Sequence, residues 1–216
     1  MSTLDLFAQA RVGDREPLGR EACILRGFAL DRQDALLARI AHLTAVAPPR
    51  HMVTPGGFTM SAALSNCGAL GWVSDARGYR YAPQDPGSGQ PWPAMPAVFL
   101  DLARGAAQEA GFPGFTPDAC LINHYAPGAK MSLHQDRDER DLSAPIVSVS
   151  LGMEAVFLFG GHARADRAQR VPLYHGDVVV WGGEDRLRFH GIAPLKDVPH
   201  PRLGSLRINL TFRKAS

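Results

Sequence analysis

No apolar run in this 216-residue chain approaches the ~20 residues needed to span a bilayer, so a helical membrane protein is excluded and no membrane partner is expected. Cysteine is scarce. The 3 present, Cys23, Cys67 and Cys120, are scattered and supply neither a disulfide framework nor a CxxC zinc pair. The opening MSTLDLFAQARVGDREP lacks a basic leader and an uninterrupted apolar stretch, so secretion is not expected and a reducing cytoplasm is the anticipated location. An excess of one charge sign is missing too. A net charge of +2 permits a polyanionic partner without demanding one, so contact with nucleic acid has to be argued locally. Repeats and low-complexity segments are absent. What remains is an ordinary soluble composition, 45% hydrophobic and 20% charged, in a chain long enough for one sizeable core. A single domain over 1–216 is expected, and a monomer.

The character of the sequence changes twice. In the first third, DRQDALLARIAHL reads as a helix capped by Asp31, with Leu36, Leu37, Ile40 and Leu43 on one face and Pro48 and Pro49 beyond its end. A second helix is read in PAVFLDLARGAAQEAG, where Val98, Phe99, Leu102 and Ala106 recur at helical spacing and Gly111 stops the run. The Gly-, Ser- and aromatic-rich stretch between them, HMVTPGGFTMSAALSNCGALGWVSDARGYRYAP, reads as hairpins and loops. From Asp118 onward come short strands: ACLINHY, PIVSVSL, AVFLFGG, RVPLY, DVVVWGG, RFHGI and RINLTFR. With no crossover helix among them, the region reads as a jelly roll or barrel, and an Ig-like sandwich fits the strand count equally well.

The stretch SLHQDRDER concentrates charge just before an apolar strand. His134 and Asp136 lie two apart and point to one side of an extended backbone, offering two thirds of the 2-His-1-carboxylate triad of non-haem Fe(II) sites. That pair alone is weak, because HxD arises readily by chance and recurs at His175-Gly176-Asp177, which reads as the turn opening DVVVWGG. His190, in RFHGI, is the candidate second histidine, and a half-buried histidine bonded to a backbone carbonyl is the plainer alternative. The strand RINLTFR puts Arg207, Asn209, Thr211 and Arg213 on one face and Ile208, Leu210 and Phe212 on the other. If the apolar side faces core, two guanidiniums point into whatever the barrel encloses. Buried arginines need anions, and a small dicarboxylate would satisfy both. An outer solvated face remains the alternative for this strand taken alone.

Together these residues resemble the AlkB-type Fe(II)/2-oxoglutarate-dependent dioxygenases, which repair alkylated nucleic acid bases. The resemblance runs through LDLF, MVTPGG, NCGALGW, PWPAMP, PDACLINHYAPGAKMSLHQDRDE, APIVSVSLG, HGDVVVWGGEDRLRFHGI and RINLTFR, in the family's order. It implies an α+β, mainly β fold: a double-stranded β-helix (jelly-roll) core over 118–216, preceded in 1–117 by packing helices and a nucleotide-recognition lid. It implies His134, Asp136 and His190 as iron ligands. Arg207 would pair with the distal carboxylate of 2-oxoglutarate and Arg213 would lie near its C1 carboxylate, with Asn123, Tyr125, Ser148 and Asn209 lining the pocket. Trp72 would stack on the damaged base against His134. Tyr79 and Tyr81 fall in the lid, Asp138 beside the exocyclic amine of the base, and Arg164, with Lys130, Arg137, Arg140, Arg77 and Arg80, would offer charge to phosphates. Ordinary strand polars, packing aromatics and solvated charges are the plain alternatives for these positions.

The implied function is DNA repair by oxidative demethylation of 1-methyladenine- or 3-methylcytosine-type bases in alkylated DNA, with RNA left open. It uses Fe(II), 2-oxoglutarate and O₂ and releases formaldehyde, succinate and CO₂. Two rivals differ in class. A hydroxylase of a protein or small molecule would keep the iron and co-substrate residues without needing a base clamp, and a non-catalytic jelly-roll binding module would need no redox metal.

Overall fold

The computed structural model describes residues 12–216, so the LDLF segment lies outside the described residues. Among the described residues, thirteen strands form three sheets, and every pairing between them is antiparallel. The large sheet runs β1 (Arg15–Pro17), β2 (Ala22–Leu25), β11 (Val178–Trp181), β8 (Ile146–Gly152), β13 (Arg207–Arg213), β6 (Ala119–Tyr125), β3 (Ala63–Gly68). The small sheet runs β10 (Gln169–Leu173), β9 (Ala155–Phe159), β12 (His190–Ile192), β7 (Met131–His134). A separate hairpin pairs β4 (Gly71–Asp75) with β5 (Gly78–Ala82). This is the jelly-roll architecture, with strands from before residue 118 joining the large sheet.

Two helices, α1 (Gln33–Val46) and α2 (Ala97–Glu109), cover the outer face of the large sheet. Leu36, Ile40 and Leu43 of α1 and Phe99, Leu102 and Ala106 of α2 meet Ile122, Val149, Ile208, Leu210 and Phe212 of the strands in one core. Each fully buried large side chain contributes about 1.5–3 kcal/mol. The inner face packs on the small sheet through Ile24, Ile146, Phe157, Phe159, Val179 and Trp181. The large sheet is therefore covered on both sides, and the alternation of β13 separates a helix-facing apolar row from an inward-facing polar row although all seven residues are buried.

α2 ends as its sequence indicates. Gly111 takes φ +97 and Phe112 N–H reaches back to Ala107 C=O, a turn that glycine enters without steric cost. The start of α1 differs from expectation. Asp31 sits inside a 3-10 turn, Leu30–Arg32, and the cap position falls on Arg32, which makes no side-chain cap bond. The reason lies upstream: Leu30 and Arg32 N–H groups already bond Gly27 and Ala29 carbonyls, so the chain winds into the helix without needing an Asp31 cap. His175-Gly176-Asp177 forms a turn with Gly176 at φ +89, and Asp177 there pairs with buried Arg26 at 2.6 Å. Among the described residues, no helix is long and apolar enough to cross a membrane.

Candidate active site

β12 pairs with β7 so that His190 stands opposite His134, which returns the distal histidine to the HxD segment. His134 Nε2 lies 3.6 Å from Asp136 Oδ1, and His190 Nε2 lies 3.7 Å from Asp136 Oδ2. The donor atoms of this trio fall within 4.8 Å of one another, the only such three-residue group among the described residues. Backbone carbonyls set both tautomers. His134 Nδ1 is 2.9 Å from Ser132 C=O and His190 Nδ1 is 3.1 Å from Arg188 C=O. A carbonyl only accepts, so each Nδ1 carries the proton and each Nε2 lone pair faces Asp136. Burial, reinforced by His134, pushes the His190 imidazolium pKa down to about 3 and keeps the ring neutral. Burial would raise the Asp136 carboxyl, but Arg213, then His190 and His134, outweigh it and hold the group ionised well below the usual range. Two neutral imidazoles and one carboxylate are the donor chemistry that a divalent iron takes, so the residues fit the metal.

Behind this trio, the inward row of β13 and its neighbours builds a buried polar pocket. Asn209 Nδ2 donates to Ser148 Oγ (2.8 Å) and Val149 C=O (2.9 Å), while its Oδ1 accepts from Asn123 (3.2 Å) and Thr211 (2.9 Å). Arg207 is 1% exposed, donates from Nη2 to Ser150 Oγ at 2.9 Å and lies 4.9 Å from the centre of the Tyr125 ring. Among the described residues, its Nε and Nη1 reach no acceptor, nor does Asn123 Oδ1 find a donor. Burial draws the Arg207 pKa down, with Tyr125 opposing. A buried guanidinium whose remaining donors point into a pocket fits a carboxylate, the group that 2-oxoglutarate would present. Arg213 turns instead to Asp136, donating from Nε at 2.8 Å and Nη2 at 2.6 Å.

Over the trio opens a cleft of about 840 Å³ lined by Trp72, Tyr79, Lys130, His134, Asp136, Arg137, Asp138 and Arg164, with Thr54 and residues 58–62 along one rim. Trp72, Tyr79 and Tyr81 share one face of the β4–β5 hairpin, because Trp72 and Tyr81 are register partners and Tyr79 is two residues from Tyr81. Trp72 and Tyr79 are stacked, with ring centres 5.5 Å apart and planes 15° apart. Trp72 Nε1 donates to Asp138 Oδ2 at 2.9 Å. Tyr81 does not line the cleft; its hydroxyl donates to Glu139 Oε1 at 2.6 Å. Arg164 donates to Leu133 C=O at 2.7 Å and covers the Phe189 ring. Arg77 and Arg80 are both engaged by Asp75.

A model of the 2OG-Fe(II) oxygenase superfamily matches residues 21–213. This chain belongs to that superfamily. It is 58% identical over 213 residues to alpha-ketoglutarate-dependent dioxygenase AlkB of Salmonella typhimurium, covering 99% of this chain and 98% of that protein. To the DNA N(6)-methyladenine demethylase ALKBH1D of Arabidopsis thaliana it is 37% identical over 147 residues, covering 56% of this chain and 33% of that one. A solved structure of OsALKBH1 superposes with a TM-score of 0.78 at 31% identity, covering 93% of this chain and all of that one. The protein is thus an Fe(II)/2-oxoglutarate-dependent dioxygenase that uses Fe(II), 2-oxoglutarate and O₂.

Sequence reasoning passed over several residues. Glu139, with its side chain 1% exposed, pairs with Arg186 at 3.1 Å and Arg213 at 3.4 Å, and Arg186 also holds the Asp136 carbonyl at 2.6 Å. In SLHQDRDER nothing distinguishes this buried acid from its solvated neighbours. Asn66, in NCGALGW, bonds the Trp72 main chain. A polar residue in a strand of otherwise small or apolar residues was the available signal.

Proposed function

We propose that this protein oxidatively demethylates N-alkylated bases of nucleic acid, of the 1-methyladenine and 3-methylcytosine type, reversing alkylation damage directly. The observation that carries this reading is the stacked Trp72–Tyr79 pair over the His-Asp-His trio, with Asp138 held at the edge of the Trp72 ring. The similarity to AlkB and to a named demethylase supports it. When bound, iron with 2-oxoglutarate and O₂ supplies the oxidation that hydroxylates the N-methyl carbon, yielding succinate and CO₂; formaldehyde then leaves the restored base.

The chain's own residues bind and orient. His134, Asp136 and His190 hold the metal, their donor atoms fixed by the Ser132 and Arg188 carbonyls and by Arg213. Arg207 takes the distal carboxylate of 2-oxoglutarate. Arg213 stands near the other, and Asn123, Tyr125, Ser148 and Asn209 line the space between. An extrahelical base slides between Trp72 and His134, where stacking is worth about 1–3 kcal/mol. Asp138 favours a base that methylation has made cationic. Arg164, Lys130 and Arg137 meet phosphates at the rim, while Tyr81 braces the hairpin through Glu139 rather than touching the base. One domain over 1–216, acting as a monomer in the cytoplasm, completes the proposal.

The test is anaerobic loading with Fe(II) and 2-oxoglutarate, followed by air and a DNA or RNA oligonucleotide containing 1-methyladenine. Formaldehyde matching succinate, with the base mass reduced by one methylene, is expected. Consumption of 2-oxoglutarate without change in either oligonucleotide would point to a hydroxylase of another substrate.

A further inference from the structure

Trp72 is held at two ends, and only the ring end belongs to the site described above. Its main-chain N–H donates to Asn66 Oδ1 and its C=O accepts from Asn66 Nδ2, both at 3.0 Å. Both polar groups of Trp72 therefore point away from β5, its one ladder partner, toward β3 at the edge of the large sheet. There the Asn66 amide, 1% exposed, stands in for a missing strand. Only an amide offers one donor and one acceptor in that geometry. The approach is close: a Cβ on Gly71 would overlap the Trp92 indole and the Asn66 side chain. On the other strand of the hairpin, Trp92 Nε1 donates to Ala82 C=O at 3.0 Å, and Ala82 is the register partner of Gly71. The base of the hairpin is thereby anchored on both strands, with Asn66 acting on the residue that carries the stacking ring.

We propose that Asn66 is a positioning residue for base recognition: by clamping the Trp72 main chain to the large sheet, it sets the height of the indole above the metal trio. The proposal rests on the reading of Trp72 as the base-stacking residue. With the clamp removed, two main-chain groups lose their partners and the Trp72 strand is held to the rest of the protein through the indole's bond to Asp138 and, across the hairpin, through Trp92 on Ala82. A displacement of about 1 Å is enough to lose a large part of a positioned interaction.

The experiment measures binding of a labelled single-stranded oligonucleotide, with 1-methyladenine or adenine at its centre, to protein loaded anaerobically with Fe(II) and 2-oxoglutarate. The readout is the ratio of the two affinities, taken for wild type, Asn66→Ala, Trp72→Ala and the double variant. Trp72→Ala should reduce the ratio about 5- to 150-fold, the range that one stacked base supplies. Asn66→Ala should reduce it roughly fivefold or more alone but less than about twofold in the Trp72→Ala background, because the two act through one contact. Asn66→Asp keeps the side-chain shape and the acceptor for Trp72 N–H but sets an oxygen against the Trp72 carbonyl. It should show the loss with the co-substrate affinity unchanged, and it serves if Asn66→Ala does not fold. Equal losses from Asn66→Ala in both backgrounds, or no loss beside a clear Trp72→Ala effect, overturn the positioning role and leave the demethylase reading intact. A Trp72→Ala variant with an unchanged ratio removes both.

Discussion

Arg207 offers the sharpest separation of a functional charge from a structural one, because the two roles predict opposite signs. In the protein without co-substrate the guanidinium is buried, makes one side-chain hydrogen bond, to Ser150, and has no counter-ion among the described residues. Burying a charge costs several kcal/mol, whereas the Ser150 bond returns about 1.5–3 kcal/mol. Arg207→Met fills much of the same volume and removes that cost, so the melting temperature of the co-substrate-free variant should equal or exceed that of wild type. The co-substrate response should collapse. Removing one partner of a buried ion pair costs about 3–5 kcal/mol, more than a hundredfold in affinity. At a 2-oxoglutarate concentration of about 100 Kd the wild type gains about 2.7 kcal/mol, a shift of roughly 5–11 °C for a domain of this size. With Kd raised more than a hundredfold the same concentration should move the variant by about 1 °C. Arg207→Lys should fall between, since a point charge replaces a planar fork. The assay is thermal unfolding with and without 2-oxoglutarate, with Mn(II) at the metal site. A sharp drop in the co-substrate-free melting temperature together with a full 2-oxoglutarate shift would show that the guanidinium serves the fold and not the pocket.

His134→Ala, Asp136→Ala and His190→Ala should each abolish turnover and metal binding while circular dichroism stays native, whereas His175→Ala should keep most turnover, since His175 bonds Gly152 N–H and Gln33 away from the trio; metal loading that survives loss of Asp136 would reject the assignment. Asp138→Ala should impair demethylation of 1-methyladenine, a cation, more than that of neutral 1-methylguanine, and equal losses on both would remove its charge-reading role. Asp118 accepts from Ala215 and Ser216 amides, the Ser216 hydroxyl and Lys214. Burial alone would raise its pKa, but those donors outweigh it and depress the folded value below 3.8. Its stabilisation is therefore complete above about pH 4 and lost as pH falls through the depressed value. Asp118→Ala should lower stability by about 2–3 kcal/mol at pH 7 and merge with wild type in acid, and a pH-independent gap would contradict the linkage.

Legibility followed the strength of the local pattern. In RINLTFR the period of two was read correctly as two faces, and the structure explains why the reading was safe: the helices need the apolar row, so the polar row has only the pocket to enter. The helix stop at Gly111 was visible because a positive φ leaves a glycine in the sequence. β1, β2 and β7 were not visible. With three or four residues each, they are too short for a period to register, and the equally short β11 and β12 were legible only within the longer stretches DVVVWGG and RFHGI. Asp31 misled because a capping residue type is no cap where a 3-10 turn has already satisfied the N–H groups. Glu139 was hidden for another reason: its partners Arg186 and Arg213 lie far along the chain, and no local pattern encodes a long-range bond. Asn66 lies only six residues before Trp72, and its polar character within β3 was the one sign of that contact.

The charge packed into SLHQDRDER resolves into three separate jobs along one short turn. His134 and Asp136 turn inward to the trio, and Arg213 neutralises Asp136 from behind. Asp138 and Glu139 turn toward the hairpin, each accepting one hydrogen bond from an aromatic residue of β4 or β5: Trp72 on Asp138, Tyr81 on Glu139. Arg186 then ties the segment to itself, bonding the Asp136 carbonyl and the Glu139 carboxylate together. An acid placed here in solvent would contribute little, since exposed pairs are worth about 0–1 kcal/mol. Buried and matched by Arg186 and Arg213, Glu139 is different, because removing it would leave the buried Arg186 guanidinium without its carboxylate and Arg213 with Asp136 alone. The same turn thus holds the metal ligands on one side and contacts the base-stacking hairpin on the other, so the distance between iron and base depends on a few consecutive residues together with the Asn66 clamp on Trp72.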